Sequence, residues 1–498
     1  MFSRVEWLII GICLAIWGLV VWGGHLFVPD DVYFYLHIAD QIVTGHGSTF
    51  NGITPTNGYH PLWMIPCILL RLVVSDRQRF VQAMFVVCAV LHVVALFLLA
   101  RLLGRTGIRQ RWPGLLLLGY YLAANPPGSE MHISLVLLLL LLGQATAELQ
   151  EATGPRALLL LGVYAGFAEL ARLDNVFLIG LIVLAVLSTR RTSFVRDALL
   201  VGIPALIIVV PYLAWNRIDF GAFVPISGRV KATFAHPGLL KLGAQGIFLF
   251  IGALPLGFLW SDRLRLPRVL LFAMSGAALI HTAYVAFGME GSWPWYFATE
   301  LLATCLSASL VFERLAESVP TRILTAASAL AVVVLMAAAV NRRVHQARTP
   351  PPYYLASAEA IDDIVPPGEA IATTVSPGSM AYFSHRSVFA FDGLTNDFAY
   401  HQDAARGGLQ SYLRAHRITY LYSVAPASDE ALKFAAKTKI EGQQEDTAYL
   451  LAPDGHSVQS LTIFSGVLGI PLGTFDLSRL KEVRRGFCSR DVAIWKFD

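Results

Sequence analysis

Eleven apolar windows, each bounded by charged or turn-forming residues, occupy the first two thirds of the chain. They fall at roughly 6–27, 80–100, 112–124, 131–147, 157–171, 175–189, 197–215, 241–260, 268–287, 296–312 and 321–340. A helix crosses a bilayer with about 20 mostly apolar residues, so these windows predict a mainly α, polytopic bundle of about eleven transmembrane helices. A further apolar stretch at 62–74, interrupted by Arg71, is short for a span and reads as an in-plane or re-entrant helix, or a short crossing. Before it, positions 32, 35, 36, 39, 42 and 43 are apolar or aromatic, the 3.6-residue repeat of an interfacial amphipathic helix, with Pro29 and Asp30 as start signals. Past residue 340 the pattern changes. Behind the linker Thr349-Pro350-Pro351-Pro352, β-rich runs at 370–375, 387–391, 419–423, 447–451 and 492–497 alternate with helical segments such as 409–416. This predicts a membrane domain over 1–340 followed by a small α/β domain over 341–498.

Arginine sets the orientation. If 62–74 does not cross, Arg4 shares a side with Arg101/Arg105/Arg109/Arg111, Arg156, Arg190/Arg191/Arg196, Arg263/Arg265/Arg268 and Arg314/Arg322. Only Arg342/Arg343 votes the other way. Cytoplasmic loops collect Arg and Lys, so the N-terminus is expected inside and the α/β domain outside. The first window reads as a retained span, because it is long for a signal-peptide core and no A-x-A site follows. Composition agrees: 14% of residues are charged, against about 25% in soluble domains. The net charge of +4 lies in scattered arginines with no long basic tract, so nucleic acid is not an expected partner. Cys13, Cys67, Cys88, Cys305 and Cys488 show no metal-ligand spacing, and Cys488 alone lies in the tail, which excludes an internal disulfide there.

The unusual polar residues cluster at the outer ends of the spans. Asp30-Asp31 follows the first span, where an acidic pair is costly to keep unless it does chemistry or binds a cation. In the first turn of a helix both carboxylates are favoured as anions, able to take a proton from a hydroxyl or to hold a divalent cation. The simpler reading is a helix cap with a solvated neighbour. Asn57-Gly58-Tyr59-His60-Pro61-Leu62-Trp63 adds a second polar and aromatic cluster, with His60 a substrate contact or a structural hydrogen bond. Glu130 tops the fourth window, and Arg172 and Asp174 stand between the fifth and sixth windows as an ion pair or as part of a site. Arg229 and Lys231 are outward cations against the usual bias. They fit an anionic ligand such as a lipid phosphate, or headgroup snorkelling. Trp293, Trp295 and Tyr296 serve either as an aromatic belt or as faces for a sugar ring.

Asp30-Asp31, Gly45-His46-Gly47 through Phe50-Asn51-Gly52, Asn57 to Trp63, Ala171-Arg172-Leu173-Asp174, Pro225-Ile226-Ser227-Gly228 with Lys231, and Trp295-Tyr296-Phe297 together resemble the GT-C superfamily of membrane glycosyltransferases. In the tail, Tyr382-Phe383-Ser384 and Phe391-Asp392-Gly393-Leu394 resemble the extracytoplasmic domain of its bacterial members. The layout is similar to that of mycobacterial arabinofuranosyltransferases. The resemblance implies a multi-pass enzyme of a bacterial inner membrane, moving a sugar from a polyprenyl-phosphate donor to an envelope glycan or lipid with inversion. By that resemblance Asp30 is the general base, and Asp31 orients the acceptor or shares a divalent cation with it. Lys231, Arg229 and Arg172 would bind the leaving phosphate, and Asn57, Tyr59, His60, Glu130, Asp174, Trp293, Trp295 and Tyr296 the substrates. The Trp-Trp-Asp motif of oligosaccharyltransferases is absent. Two other readings compete. One is a transferase of another group, for which the tail's His385, Asp392, Asp397, His401 and Asp403 show no metal-site spacing; the other is a lipid or glycan transporter, which would place its polar groups mid-span.

The orientation is directly testable. A reporter fused after Asp498 is expected to work only outside the cytoplasm, and a cysteine placed at Ser75 is expected to react with an impermeant reagent. Cytoplasmic reporter activity would invert every loop assignment.

Overall fold

A computed structural model describes the chain apart from residues 1, 126, 152–153, 191–192, 234–236, 260–264, 266, 290, 349–353, 374–375, 392, 407, 425–446, 452–457, 466–469, 477–479, 486–491 and 498. The expected linker 349–352, Asp392 and Cys488 therefore lie outside the described residues.

A capping box starts α1 (Arg4–Gly23): the Glu6 N–H donates to Ser3 Oγ, and the Ser3 N–H donates to Glu6 Oε2. Two helices follow before the chain returns to the bundle. These are α2 (Asp30–Val43), the expected amphipathic helix, and α3 (Pro61–Val73), which begins on Pro61 where a missing N–H costs nothing. α3 packs on α2, α4 and α7. The bundle continues with α4 (Arg77–Arg105), α5 (Trp112–Ala124), α6 (Met131–Glu151), α7 (Pro155–Ala171), α8 (Val176–Ser188) and α9 (Phe194–Phe220). The short α10 (Ile226–Thr233) precedes α11 (Gly243–Ala253), α12 (Arg268–Gly288), α13 (Ala298–Ser318) and α14 (Thr321–Arg348). Seven described helices are long and apolar enough to cross a membrane: α1, α4, α6, α9, the run Leu240–Leu259 that contains α11, α12, and Arg322–His345 within α14. The remaining four expected windows form α5, α7, α8 and α13. The first three are shorter, 13 to 17 residues, and α13 carries Glu300, Glu313, Arg314 and Glu317.

Small residues let the helices approach closely, as membrane packing requires. α7 lies along α9 with Gly162 against the Val201 backbone, where any Cβ would strike the Val201 carbonyl. Trp63 of α3 is fully buried and donates its indole N–H to the Gly128 carbonyl at 3.1 Å. That bond fixes the first loop against the start of α6.

The tail forms an α/β unit. Helices α15 (Tyr354–Ile364), α16 (Pro377–Phe383), α17 (Phe398–Ala405) and α18 (Leu409–Ala415) accompany β1 (Ala370–Thr373), β2 (Ser387–Ala390), β3 (Ile418–Val424), β4 (Thr447–Leu451), β5 (Val458–Ser465), β6 (Ile470–Asp476), β7 (Leu480–Arg485) and β8 (Val492–Phe497). One sheet runs β2-β1-β3-β8-β7, with β1 parallel to both neighbours and β8 antiparallel to β3 and β7. A second, antiparallel sheet runs β4-β5-β6. The sequence reading missed β5, β6 and β7. Pro471 and Gly473 in β6, and Lys481, Glu482, Arg484 and Arg485 in β7, mask a strand pattern; both are outer strands of their sheets, where such residues belong.

Candidate active site

The chain brings its unusual polar residues to a single cavity of about 410 Å³. Its walls include the first turn of α2, the loop before α3, the approach to α6, the turn between α7 and α8, α10, the aromatic turn before α13, Tyr284 of α12 and Leu394 of the tail. Of the thirteen residues singled out in the sequence, ten line it: Asp31, Tyr59, His60, Glu130, Arg172, Asp174, Arg229, Lys231, Trp295 and Tyr296.

Local structure explains the placement. α7 stops at Ala171 because Arg172 is extended (φ −157°, ψ 124°), and a single 3₁₀ turn over Leu173–Asn175 restarts the chain as α8. The buried Asn175 amide fixes that turn by donating to the Ala168 carbonyl and to Ser134 Oγ. Arg172 then faces Asp174 through two bonds, Nε to Oδ1 at 2.9 Å and Nη2 to Oδ2 at 2.6 Å, while its Nη1 donates to Glu130 Oε1. Its guanidinium stands 4.9 Å from the centre of the Tyr296 ring. On the other side Lys231 Nζ donates to the Tyr296 hydroxyl at 2.6 Å. Burial alone would depress the Lys231 ammonium, but Tyr296 and Asp31 outweigh it and hold its pKa above the ordinary value.

Asp31 is the carboxylate of the pair that faces this cation. Burial pushes its pKa up to about 6; Lys231 opposes the rise, and Asp30 and Glu130 add to it. His60 goes the other way. Burial pulls its imidazole down to about 4 against the pull of Glu130, so its 3.7 Å approach to Glu130 Oε1 is a contact of a neutral ring at neutral pH.

Asp30, Asn57 and Trp293 do not line the cavity. Asp30 turns to the α/β unit, accepting the Gly378 N–H at 3.0 Å, the Ser379 N–H at 2.8 Å and the Ser379 hydroxyl at 2.8 Å. Asn57 is fully buried, donating to Asn216 Oδ1 at 3.1 Å and accepting the Ile226 N–H at 2.9 Å, so it ties the first loop to the ends of α9 and α10. Trp293 stacks parallel on Trp295 at 5.5 Å and stays 42% exposed.

Several contributors were missed. Tyr35 lines the cavity, with its hydroxyl 3.4 Å from Glu130 Oε2 and accepting the His60 N–H at 3.3 Å. Behind Asp174, His281 Nε2 lies 3.4 Å from Asp174 Oδ2, and its Nδ1 lies 2.8 Å from Glu300 Oε1. Both His281 and Glu300 sit inside apolar windows, where an ionisable residue is itself a functional signal. In the sequence Tyr35 reads as part of the apolar face of α2.

Asp30 has both oxygens engaged by N–H and O–H donors, so of the acidic pair Asp31, beside the Lys231 ammonium, is the carboxylate left to meet a divalent cation. Among the described residues no group of three or more His, Cys, Asp or Glu could hold a metal ion.

By its likeness to solved structures the chain has a GT-C-like fold, a polytopic bundle with an α/β tail. Among solved structures it is similar to ArnT from Cupriavidus metallidurans bound to undecaprenyl phosphate, with a TM-score of 0.59 at 13% identity, covering 99% of this chain and 98% of that one. The apo state of the same protein gives 0.57 at 13% identity over 98% and 97%. The oligosaccharyltransferase of Archaeoglobus fulgidus, in complex with Zn and sulfate, gives 0.55 at 13% identity over 87% of this chain and 69% of that one. No family model matches the chain, and no curated protein does.

Arg172→Ala leaves Glu130 and Asp174 buried without their cation. Breaking a buried pair from one side costs about 3–5 kcal/mol, so the thermal midpoint in detergent is expected to fall well below wild type. An unchanged midpoint would mean that the two carboxylates are solvated.

Proposed function

We propose that the protein is a membrane glycosyltransferase that moves a sugar from a polyprenyl-phosphate carrier to a hydroxyl of an envelope glycan or lipid, at the extracytoplasmic face of a bacterial inner membrane. The observation that carries this reading is the meeting in one cavity of a carboxylate of raised basicity, Asp31, with the cations Lys231 and Arg229. The likeness over nearly the whole chain to a structure holding undecaprenyl phosphate supports a donor of that class.

In this mechanism Asp31 takes the proton of the acceptor hydroxyl as its oxygen attacks the anomeric carbon. The bond from that carbon to the phosphate oxygen breaks on the opposite face, so configuration inverts. The phosphate departs with its charge held by Lys231 and Arg229, which removes the need for a strong general acid. Arg172 serves differently from the sequence expectation: its charge is matched by Glu130 and Asp174, so it builds the wall against which Tyr296 and Lys231 are set. Trp295, also in the lining, offers an aromatic face to a sugar ring. The base role moves from Asp30, as first expected, to Asp31, because Asp31 is the one that borders the cavity.

The test is transfer by purified protein in nanodiscs, offered labelled polyprenyl-phosphate sugars with arabinofuranose among them. Asp31→Asn is expected to lose at least ~100-fold in turnover, the scale of a lost general base. The base must be ionised, and its folded pKa is raised to about 6, so kcat/KM is expected to fall as pH drops through about 6 and to level off above it. Carrier flipping without transfer would favour a transporter instead.

Lys231→Ala removes a charge-assisted contact worth roughly 1.5–3 kcal/mol, or about 10- to 150-fold. The loss is expected in donor use, with acceptor affinity little changed. A loss confined to acceptor binding would place the phosphate elsewhere.

A further inference from the structure

We propose that Asp30 is a latch: a positioning residue that ties the α/β unit to the first turn of α2 and so sets Asp31 against Lys231. The proposal rests on the catalytic reading of Asp31 and deepens it by giving the second carboxylate and the α/β unit a part in the same site.

Adjacent residues on a helix point about 100° apart, so one turn of α2 can serve two faces. Asp31 takes the cavity face. Asp30 takes the other and spends its carboxylate on donors 348 and 349 residues away in sequence, at the start of α16. A solvated cap would not be engaged this way. The approach is close enough to require glycine at 378, since a Cβ there would strike the Asp30 carbonyl and crowd the Phe34 ring. Ser376, just before α16, accepts a left-handed backbone (φ 45°) that a non-glycine residue adopts only under strain, which marks the turn as held in place.

The latch has a flank. Arg77 Nη1 donates to the Tyr382 carbonyl at 2.5 Å, Tyr382 returns its hydroxyl to the Arg77 carbonyl at 2.7 Å, and the Tyr33 ring packs 5.1 Å from that of Tyr382. The same α/β unit also reaches the cation side of the site. α17 packs on α10, the helix of Lys231, and Gly393 lies against Val230. Between these two anchor points Leu394 lines the cavity, its carbonyl so close to Gly58 that no side chain would fit there. One unit thus grips both elements whose spacing decides whether base and cation face the same sugar.

The experiment compares Asp30→Ala, Asp30→Asn and Gly378→Ala in the full chain in nanodiscs, reading hydrogen exchange over 377–383 together with kcat and the donor KM. Asp30→Ala is expected to raise exchange in α16 and to lower kcat by about 10- to 100-fold, the scale of a misplaced reacting group, with KM little changed. Gly378→Ala removes no ionisable group and should do the same. Asp30→Asn keeps an acceptor oxygen and should recover most of the activity. If Asp30→Asn is as inactive as Asp31→Asn while exchange is unaltered, Asp30 acts in the chemistry and the latch is wrong. Raised exchange with wild-type kcat would also overturn it, since docking would then not position Asp31. Should the wild type transfer no sugar, the function proposed above falls, while unaltered exchange in Gly378→Ala would separately sink the latch.

Discussion

The site depends on Arg172 sitting between two carboxylates. A guanidinium at the edge of an apolar bundle is costly unless it is matched, and here Glu130 from the approach to α6 and Asp174 from the 3₁₀ turn both meet it. Satisfying that one side chain fixes where α6 begins, how α7 hands over to α8, and how far Tyr296 stands from the wall. His281 and Glu300 continue the alternation inward, so Asp174 is held from behind as well as in front. With the wall fixed, Tyr296 offers its hydroxyl to Lys231, and Lys231 in turn faces Asp31. Each charged group in the chain is placed by the one before it.

The same order explains the division among the cavity's cations. Arg172 is compensated on two sides, so little of its field is left for a ligand. Lys231 is compensated by one carboxylate whose proton affinity is raised, and by a phenol. A negatively charged ligand would therefore be drawn to α10 rather than to the Arg172 wall.

Much of this was legible in the sequence, because polar residues gathered at span ends have few structural reasons to exist. That logic placed Glu130, Arg172, Asp174, Arg229 and Lys231 in one neighbourhood although they lie on three different segments. It failed where position in the pattern hid chemistry. Tyr35 filled an apolar slot of the α2 repeat, and His281 and Glu300 were absorbed into windows dominated by Leu and Ala. Asn57 shows the converse: a polar residue beside the site, spent wholly on joining the first loop to α9 and α10. In the tail, β1 to β4 and β8 were visible, whereas β5 was missed and charge and proline concealed the outer strands β6 and β7.

The acidic pair is the instructive case. Two adjacent aspartates are equivalent in sequence, and only the helix rotation distinguishes them. That rotation is set by what docks on α2 from outside, and the docking partner, Gly378-Ser379, is coded some 350 residues downstream. No local pattern could have told which carboxylate would be left facing the cavity. Glycine at 378 carries that information, because any larger residue would push α16 off the first turn of α2. A sequence that kept both aspartates but lost this glycine would retain the motif and lose the constraint that gives its two members different work.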